Sequence, residues 1–418
     1  MSDVSFDPTD AEVRRDPYPH YRELRRKAPV RLIESTGFYA VACQRDVLEV
    51  LRNPEVFSSR AMRFLRSNGR APASPLGQGA EVPAEAIAQL VASLPFPVQE
   101  LAGARSVVFA DPPVHDALRS IVNRGFTPRR IAELEPRIRE IARACIAGVR
   151  PKGELDLVQD LAIPLPVTVI SELLGVDPER RADFKRWSDA IVANSLGAVT
   201  RTPIASAVPE LFRYLAEVID LRRKAPREDL ISTLIRAEDG EALKPAEVVI
   251  FTLLLLVAGN ETTTNLLGNA LLALTEHPAE LARVQREPAL VPALVEETLR
   301  YDSPAQAVFR ETTRDTELAG VAIPRGSIVV PLLASANRDE SAFPDAERFD
   351  LTRERTSHVA FGFGVHFCLG AALARLEARV ALEELFELRG LARKPDAEPE
   401  RLDSFVLRGL RSLPLAFQ

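Results

Sequence analysis

A run of ten residues near the C-terminus, FGFGVHFCLG at 361–370, places a cysteine in a glycine-containing loop ahead of a helical pattern. Apolar residues follow Cys368 at spacings of four, three and four, which is the stripe of an amphipathic α-helix. The stripe consists of Leu369, Leu373, Leu376 and Val380. We expect the helix to begin at Cys368, where the helix dipole and the unpaired N–H groups of the first turn favour a thiolate.

A thiolate in such a loop is a ligand for soft metal ions and for haem iron. Gly364 and Gly370 flank the cysteine, and without a side chain at either position a flat cofactor can lie against the backbone. The simpler alternative is a buried cysteine that only packs at the start of a helix. The loop therefore predicts Cys368 as a metal or haem ligand.

The composition is that of a water-soluble protein without a nucleic-acid partner. The chain has 418 residues, 46% of them hydrophobic, with 53 basic residues against 59 acidic ones and a formal net charge of −6. Because phosphate backbones are bound by clustered positive charge, this balance argues against nucleic acid. The three cysteines, Cys43, Cys145 and Cys368, form no even-numbered framework, which predicts a reducing compartment without disulfides.

No segment of the sequence predicts a membrane anchor. The first residues, MSDVSFDPTDAEVRR, lack the apolar core of a signal peptide. The longest apolar run, 248–258, is shorter than the roughly 20 residues that cross a bilayer. We therefore expect a cytoplasmic protein.

Helical periodicity dominates the chain from 114 to 276, and extended segments return at 307–313 and 327–333. Hydrophobic residues are spread evenly along the sequence, with no obvious domain boundary. This pattern predicts one large domain over 1–418, mainly α with small β-sheets (an α+β class).

The segment 61–110 is different, because repeated Pro and Gly residues interrupt every periodic pattern. It also contains apolar residues, among them Leu94 and Phe96. We expect a long, partly apolar loop in this region. The alternative is a disordered insertion at the surface.

A second pattern is a polar interruption of an apolar helix, LLLLVAGNETTT at 253–264. Gly259 costs roughly 1 kcal/mol in a helix interior, and the amide and hydroxyl groups after it compete with backbone hydrogen bonds. The helix therefore has reason to distort, or simply to reach the surface, at this point. The apolar pattern resumes at 265–272, which favours an internal polar notch whose groups need partners.

Two further pairs of residues each share one helix face. Glu297 and Arg300 are three apart and suit an ion pair. His115 and Arg119 are four apart, on a helix that follows two prolines. Taken alone, either pair is typical of a solvated surface.

The spacing of the cysteine loop resembles the haem-ligand loop of the cytochrome P450 family. The matching positions are Phe361, Gly364, His366, Cys368 and Gly370. The other motifs follow in the family's order, so the resemblance covers nearly the whole chain. It implies the cytochrome P450 fold, a single helical domain with a long central helix over haem b and a β-rich side. Cys368 would be the axial thiolate, with Phe361 packed beside it.

The polar notch is similar to the oxygen-binding groove of the same family. The matching pattern of small residue, glycine, acid and threonine falls on Ala258, Gly259, Glu261 and Thr262. The resemblance implies that Thr262 and Glu261 are catalytic, with the hydroxyl binding dioxygen and both groups relaying protons.

The resemblance also implies the surroundings of the cofactor. The family's donors to the haem propionates fall on His115, Arg119, Arg310 and His366. Glu297 and Arg300 match its Glu-x-x-Arg pair, which has a structural role. A third arginine completes that structural group, and we expect it at Arg348.

A substrate pocket follows from the same alignment. Its predicted lining is Leu254, Val257, Gln306, Val308, Val406 and Leu407, with Leu94 and Phe96 in a covering loop over 61–110. Such a mainly apolar wall favours a hydrophobic, medium-to-large substrate, such as a fatty acid, terpenoid, steroid or macrolide-like compound.

The implied activity is that of a monooxygenase, which inserts one oxygen atom of O₂ into the substrate by hydroxylation or epoxidation. Only 50 residues follow Cys368, so we expect electrons from a separate ferredoxin and an NAD(P)H-dependent ferredoxin reductase. A basic docking face on the cysteine side is predicted from Arg124, Arg129, Arg130, Arg375 and Arg379.

Two other classes remain open from the sequence. A peroxide-driven haem-thiolate peroxygenase needs no redox partners, but such enzymes generally lack the acid and threonine pair that Glu261 and Thr262 provide. A non-catalytic haem-binding or gas-sensing protein would keep Cys368 and would have no need for a proton relay.

Overall fold

The computed structural model describes residues 6–60, 97–195, 204–236, 242–354 and 357–418, and most of these are helical. The α-helices, α1 to α16 in chain order, are Ala11–Arg15, Tyr18–Lys27, Gln44–Arg52, Val98–Gly103, Val114–Asn123, Pro128–Glu133, Glu135–Val149, Pro164–Leu173, Arg181–Ser195, Ile204–Lys224, Leu230–Ile235, Pro245–Glu276, Pro278–Arg286, Val291–Tyr301, Leu333–Ala336 and Ala371–Leu385. The prediction of a mainly α structure is confirmed.

The strands are short and form small sheets. They are β1 to β12 in chain order, Val30–Ile33, Phe38–Val41, Phe57–Ser58, Glu154–Asp156, Arg310–Thr312, Thr316–Leu318, Val321–Ile323, Ile328–Pro331, Ala392–Arg393, Glu400–Arg401, Leu410–Ser412 and Pro414–Ala416. The largest sheet has the order β1-β2-β8-β5-β3, in which β2 and β8 run parallel. This sheet brings Arg310 on β5 close to the loop after β3.

Helix α12 is the central element, and it packs against α8, α9, α14 and α16. Its first half contributes Val248, Val249 and Leu256 to one apolar cluster, and its second half contributes Leu266 and Leu271 to another. A helix that is apolar on most faces belongs in a protein core. By length and composition alone α12 would also suit a membrane span, and 56% of its most apolar 18-residue window is buried inside the protein.

The polar notch does not interrupt α12, which is helical throughout Pro245–Glu276. Hydroxyl groups within it bond to backbone carbonyls: Thr262 Oγ1 donates to Ala258 at 2.7 Å, and Thr264 Oγ1 donates to Ala162 at 2.8 Å. Asn260 and Glu261 are buried. The notch is therefore internal, as the resumed apolar pattern predicts, and the expected distortion of the helix is absent from these residues.

The Glu297 and Arg300 pair is buried rather than solvated. The two side chains make a bidentate ion pair at 2.7 and 2.8 Å on α14, and Arg300 has no exposed surface. Arg300 also donates to the carbonyls of Asn337, Ala346 and Arg348. The pair therefore ties α14 to the irregular segment that leads to the cysteine loop.

The prediction that Arg348 supplies the third arginine is wrong. Its side chain is 67% exposed and lies 3.8 Å from Asp350, and only its backbone carbonyl reaches Arg300. Arg353 takes the expected place, because its Nε lies 3.4 Å from the Glu297 carboxylate and its other nitrogens donate to carbonyls of the same segment. The chain turns between Arg348 and Arg353, so the Arg353 side chain points inward while the Arg348 side chain points to the surface.

Candidate active site

The cysteine loop is closed by backbone hydrogen bonds. The N–H of Cys368 donates to the carbonyl of Phe361 at 2.9 Å, and a 3₁₀ turn spans Gly364–His366 between them. Helix α16 begins at Ala371, with Gly370 as its N-cap, so the prediction that it starts at Cys368 is wrong by three residues. The thiol therefore precedes the helix instead of forming part of its first turn.

Burial raises the pKa of the Cys368 thiol, although a hydrogen bond from the Gly370 backbone and the charges of Arg119 and Arg375 oppose this. The net direction favours the neutral thiol. A coordinated metal ion deprotonates a thiol directly. The site is thus suited to a thiolate that forms together with metal binding.

The two glycines of the loop differ in their surroundings, and only Gly364 departs from the prediction that a flat cofactor lies against it. Gly364 has φ +72°, and a Cβ there would lie 2.7 Å from the carbonyl oxygen of Leu51. This glycine permits close contact with α3 rather than with a cofactor. A Cβ at Gly370 would meet no atom of the described residues within 4 Å, which is compatible with a flat group beside the cysteine.

Nitrogen-bearing side chains converge next to this loop. The rings of His115 and His366 lie 4.4 Å apart, and His366 Nε2 is 2.8 Å from Ser59 Oγ. Burial, together with the charges of Arg310, His115 and Arg119, lowers the pKa of His366 to about 3. Burial likewise lowers the pKa of Arg310, to about 10, with Asp111 opposing the shift. These groups therefore lie close enough to repel one another when charged.

This cluster fits a dianionic ligand. Within the described ranges, no carboxylate forms an ion pair with Arg119 or Arg310, and His115 Nε2 is buried without a hydrogen-bond partner. His115 Nδ1 is paired with Asp116, but among the described residues the two arginines and His115 Nε2 lack such a partner, and the two carboxylates of a dianionic ligand would supply one. Burial lowers the pKa of Arg119, and the charge of Cys368 in its thiolate form opposes this shift. The same cluster therefore adjoins the thiol, and these residues fit a haem with its propionates.

An accessible face of α12 carries the residues of the predicted groove. Leu254, Ala258 and Thr262 are spaced four apart, and Ala258 is exposed in the middle of a largely buried helix. Gly259 lies against α8, because a Cβ there would be 2.8 Å from the Ile170 side chain. Leu254 and Val257 pack against the same apolar cluster as Leu369, the neighbour of Cys368. The structure therefore brings the groove and the cysteine loop to a shared apolar region.

The predicted pocket residues have unequal surroundings. Val308, Val406 and Leu407 are half-buried, with Leu407 bridged to Ala305. Gln306 is buried, and its Nε2 donates to the carbonyls of Ser404, Phe405 and Leu407. Gln306 thus holds the C-terminal loop in place, in addition to its predicted place in the pocket wall.

Leu94 and Phe96 lie outside the described residues, as does most of the predicted covering loop, 61–96. The described part, 97–110, contains α4 and then Arg105. The Arg105 guanidinium pairs with Glu247 at 2.6 and 3.2 Å. Since Glu247 also caps the first turn of α12 through the N–H of Lys244, this segment is tied to the start of the central helix.

Sequence reasoning missed Glu377. This residue of α16 is buried, and burial raises the pKa of its carboxyl to about 8. A side-chain hydrogen bond with Thr263, the neighbour of Thr262, opposes this rise. The signal was present in the sequence, because Glu377 lies four residues after Leu373 and three before Val380, inside the apolar stripe. A carboxyl in that stripe is a buried one.

The predicted basic docking face is largely neutralised. Arg375 pairs with Glu296, Arg379 with Glu135 and Glu383, and Arg129 with Glu133. The exposed side chains of the cysteine loop are apolar ones, Phe363, Val365 and Phe367. Arginine positions alone therefore do not define a free positive surface here.

The chain is similar to known proteins in sequence and in overall fold. Residues 94–409 match the family model described as Cytochrome P450. The solved structure of cytochrome P450 CYP109Q5 from Chondromyces apiculatus is 44% identical with a TM-score of 0.86, and the match covers 99% of this chain and 98% of that one. CYP109E1 from Bacillus megaterium, solved in complex with testosterone, is 36% identical with a TM-score of 0.81, covering 96% and 99%. The vitamin D(3) 25-hydroxylase of Pseudonocardia autotrophica is 39% identical over 408 residues, 96% of this chain and 93% of that protein.

The chain belongs to the cytochrome P450 family. Its fold is the cytochrome P450 fold, its cofactor is haem b with an axial cysteine thiolate, and it is an oxygen-incorporating monooxygenase. The family implies a hydrophobic substrate, O₂ and redox partners. The predictions of fold, cofactor and enzyme class are therefore confirmed.

Proposed function

We propose that Cys368 is the axial ligand and that His115, Arg119, Arg310 and His366 bind the haem propionates. The observation that carries this proposal is the convergence of those four side chains beside Cys368, without an ion-pairing carboxylate for either arginine among the described residues. When bound, haem with a thiolate ligand supplies the reductive activation of O₂. Phe361, whose carbonyl accepts from the Cys368 N–H, shields the sulfur from water.

Thr262 and Glu261 are proposed to deliver protons. The Thr262 hydroxyl donates to Ala258 and leaves its oxygen lone pairs free to accept a proton or bind a water molecule. Glu261, the preceding residue, is a buried carboxyl that can exchange a proton with that site. Glu377 lies behind the same turn, against Thr263, and is a candidate internal proton donor because its pKa is raised to about 8.

The proposed substrate is a hydrophobic, medium-to-large molecule, with a steroid or other polycyclic terpenoid ahead of a fatty acid or macrolide-like compound. The support is the apolar face of Leu254, Val257 and Ala258 and the half-buried Val308, Val406 and Leu407. Burial of apolar surface at roughly 25 cal/mol per Å² would dominate binding to such a wall. The two relatives named for vitamin D(3) and solved with testosterone agree with this class.

The covering loop 61–110 is proposed to close over that substrate through Leu94 and Phe96. Replacing both by Ala should weaken ligand-induced shifts of the haem spectrum and leave the ferrous carbonyl spectrum intact. Unaltered affinity across a panel of apolar ligands would refute the role of the loop. Tight binding of small polar compounds alone would refute the substrate class.

The proposed electron donors are a ferredoxin and an NAD(P)H-dependent ferredoxin reductase, and the proposed compartment is the cytoplasm. The exposed Phe363, Val365 and Phe367 beside Cys368 support docking of a donor protein at this loop. A single domain over 1–418 is supported by α12, which contributes to two apolar clusters on either half.

The test is turnover of a steroid by the purified protein with NAD(P)H, ferredoxin and reductase, following O₂ and product. Incorporation of labelled oxygen from O₂ is expected, together with a strict need for the redox partners. The alternative is a peroxide-driven peroxygenase, which would form product with added peroxide and not with the redox partners. That outcome would replace the proposal.

A further inference from the structure

Glu296 links three segments around the cysteine loop and takes no part in the proposed proton relay. It lies on α14, next to the buried Glu297. Its carboxylate accepts two hydrogen bonds from Arg375 of α16, at 2.6 and 3.0 Å. His358 Nε2 lies 3.2 Å from the same carboxylate.

The direction of the His358 contact follows from its other ring nitrogen. Nδ1 accepts from the N–H of Ala360 at 3.3 Å, so the proton is on Nε2, which donates to Glu296. Burial would raise the pKa of Glu296, but the hydrogen bonds from His358 and Arg375 and the charge of Arg375 lower it to about 2. The carboxylate is thus held from two sides and is charged at neutral pH.

Arg375 connects Glu296 to the cysteine loop. Its guanidinium carbon lies 4.5 Å from the centre of the Phe361 ring, a cation–π distance, and its charge acts on Cys368. Phe361 in turn accepts the hydrogen bond from the Cys368 N–H. The Arg375 side chain is 37% exposed, and bidentate pairing with Glu296 fixes the plane of its guanidinium.

We propose that Glu296 is a positioning residue, which holds the Arg375 guanidinium against Phe361 and thereby sets the reduction potential of the cysteine-ligated iron. The proposal rests on the assignment of Cys368 as the axial ligand. Reduction adds negative charge to the iron and its ligand, so a fixed cation nearby favours the reduced form and raises the potential.

The direction in which the reduction potential shifts in Glu296→Gln distinguishes a positioning role of Glu296 from a direct effect of its charge. Removing the negative charge of Glu296 while Arg375 stays in place would raise the potential. If Glu296 positions Arg375, the guanidinium should leave Phe361 in Glu296→Gln. The amide of Gln has one oxygen and one NH₂ group, so it can accept only one of the two hydrogen bonds that Arg375 donates. Since Arg375 is the member of the pair whose guanidinium contacts the Phe361 ring of the cysteine loop, we expect its departure to dominate and the potential to fall.

The experiment is potentiometric titration of the haem-loaded protein, with the parent compared with Glu296→Gln, Arg375→Gln and the double variant. We expect both single variants to lower the potential, and the double variant to match Arg375→Gln, because the two side chains act as a unit. Glu383→Gln is the matched control, since Glu383 lies further along α16 and pairs with Arg379 of the same helix and with Arg139 of α7. It should leave the potential unchanged.

An unchanged or raised potential in Glu296→Gln would overturn the proposal, as would full additivity in the double variant. If Glu296→Gln does not retain haem, Glu296→Asp keeps the charge on a shorter side chain and should lower the potential by less than Arg375→Gln does. A drop as large as that of Arg375→Gln would contradict the positioning role. Failure of the ligand assignment is recognised separately, by a thiolate-type carbonyl spectrum that survives Cys368→Ser.

Discussion

The backbone N–H of Cys368 donates to the carbonyl of Phe361 at 2.9 Å, so the aromatic residue and the thiol lie at the two ends of one closed loop. Because the two residues are seven positions apart, the sequence of the loop alone brings them together. The geometry holds the sulfur ahead of α16, beside the Arg119 and Arg375 side chains whose charges act on it.

Replacing Cys368 by Ser should abolish the carbonyl spectrum typical of a thiolate ligand, because a neutral hydroxyl donates far less electron density to iron. The measurement is the absorption of the ferrous carbonyl complex. Cys145→Ser is the control, since Cys145 is a half-buried residue of α7 that packs in the apolar core. Loss of the spectrum in the control instead would reassign the ligand.

Thr262→Ala should bind haem and consume NAD(P)H but couple poorly. Product formed per NAD(P)H oxidised is expected to fall by about tenfold or more, with peroxide released in its place, because a positioned proton donor contributes on this scale. Thr262→Ser keeps the hydroxyl that now donates to Ala258, and it should stay near the parent. Equal yields from the Ala and Ser variants would contradict the relay.

Arg353→Ala should destabilise the protein by about 1–3 kcal/mol, because it removes charge-assisted hydrogen bonds to Glu297 and to nearby carbonyls. Arg348→Ala should change stability by less than about 0.5 kcal/mol, since that side chain is exposed. The midpoint of thermal unfolding and the retention of haem measure both effects. A larger loss in Arg348→Ala would restore Arg348 to the structural role.

Glu377→Gln should become increasingly stable relative to the parent as the pH rises from about 4.5 towards 8. Burial raises the pKa of Glu377 from its ordinary 4.5 to about 8, so the folded protein binds this proton more tightly than the unfolded chain does. The resulting stability is complete below about pH 4.5 and is lost as the pH rises towards 8. A glutamine at this position stays neutral at every pH, so the variant does not lose stability in this way.

Thermal unfolding midpoints of the parent and of Glu377→Gln, measured across that pH range, check the expectation. The midpoint of the parent should fall relative to that of the variant between the two limits. A constant difference would mean that Glu377 has an ordinary pKa or a cationic partner. Glu383→Gln, on the same helix but half-buried and paired with arginines, should show no such trend.

Local patterns determined several features of this protein. The cysteine loop, the helical stripe after it and the polar notch in α12 are short stretches whose spacing reflects backbone geometry, and the family's order of motifs made the fold recognisable. The Glu297 and Arg300 pair belongs here too, because three residues along a helix always bring side chains together.

Other features depend on contacts between distant parts of the chain. Arg353 replaces Arg348 because an irregular segment turns, and no periodicity describes that turn. Gly364 is needed for the approach of Leu51, and Glu377 has a raised pKa because α16 buries it against Thr263. Burial and charge at such positions are sums over neighbours from several elements, so the tertiary structure decided them, although the apolar stripe around Glu377 already indicated a buried carboxyl.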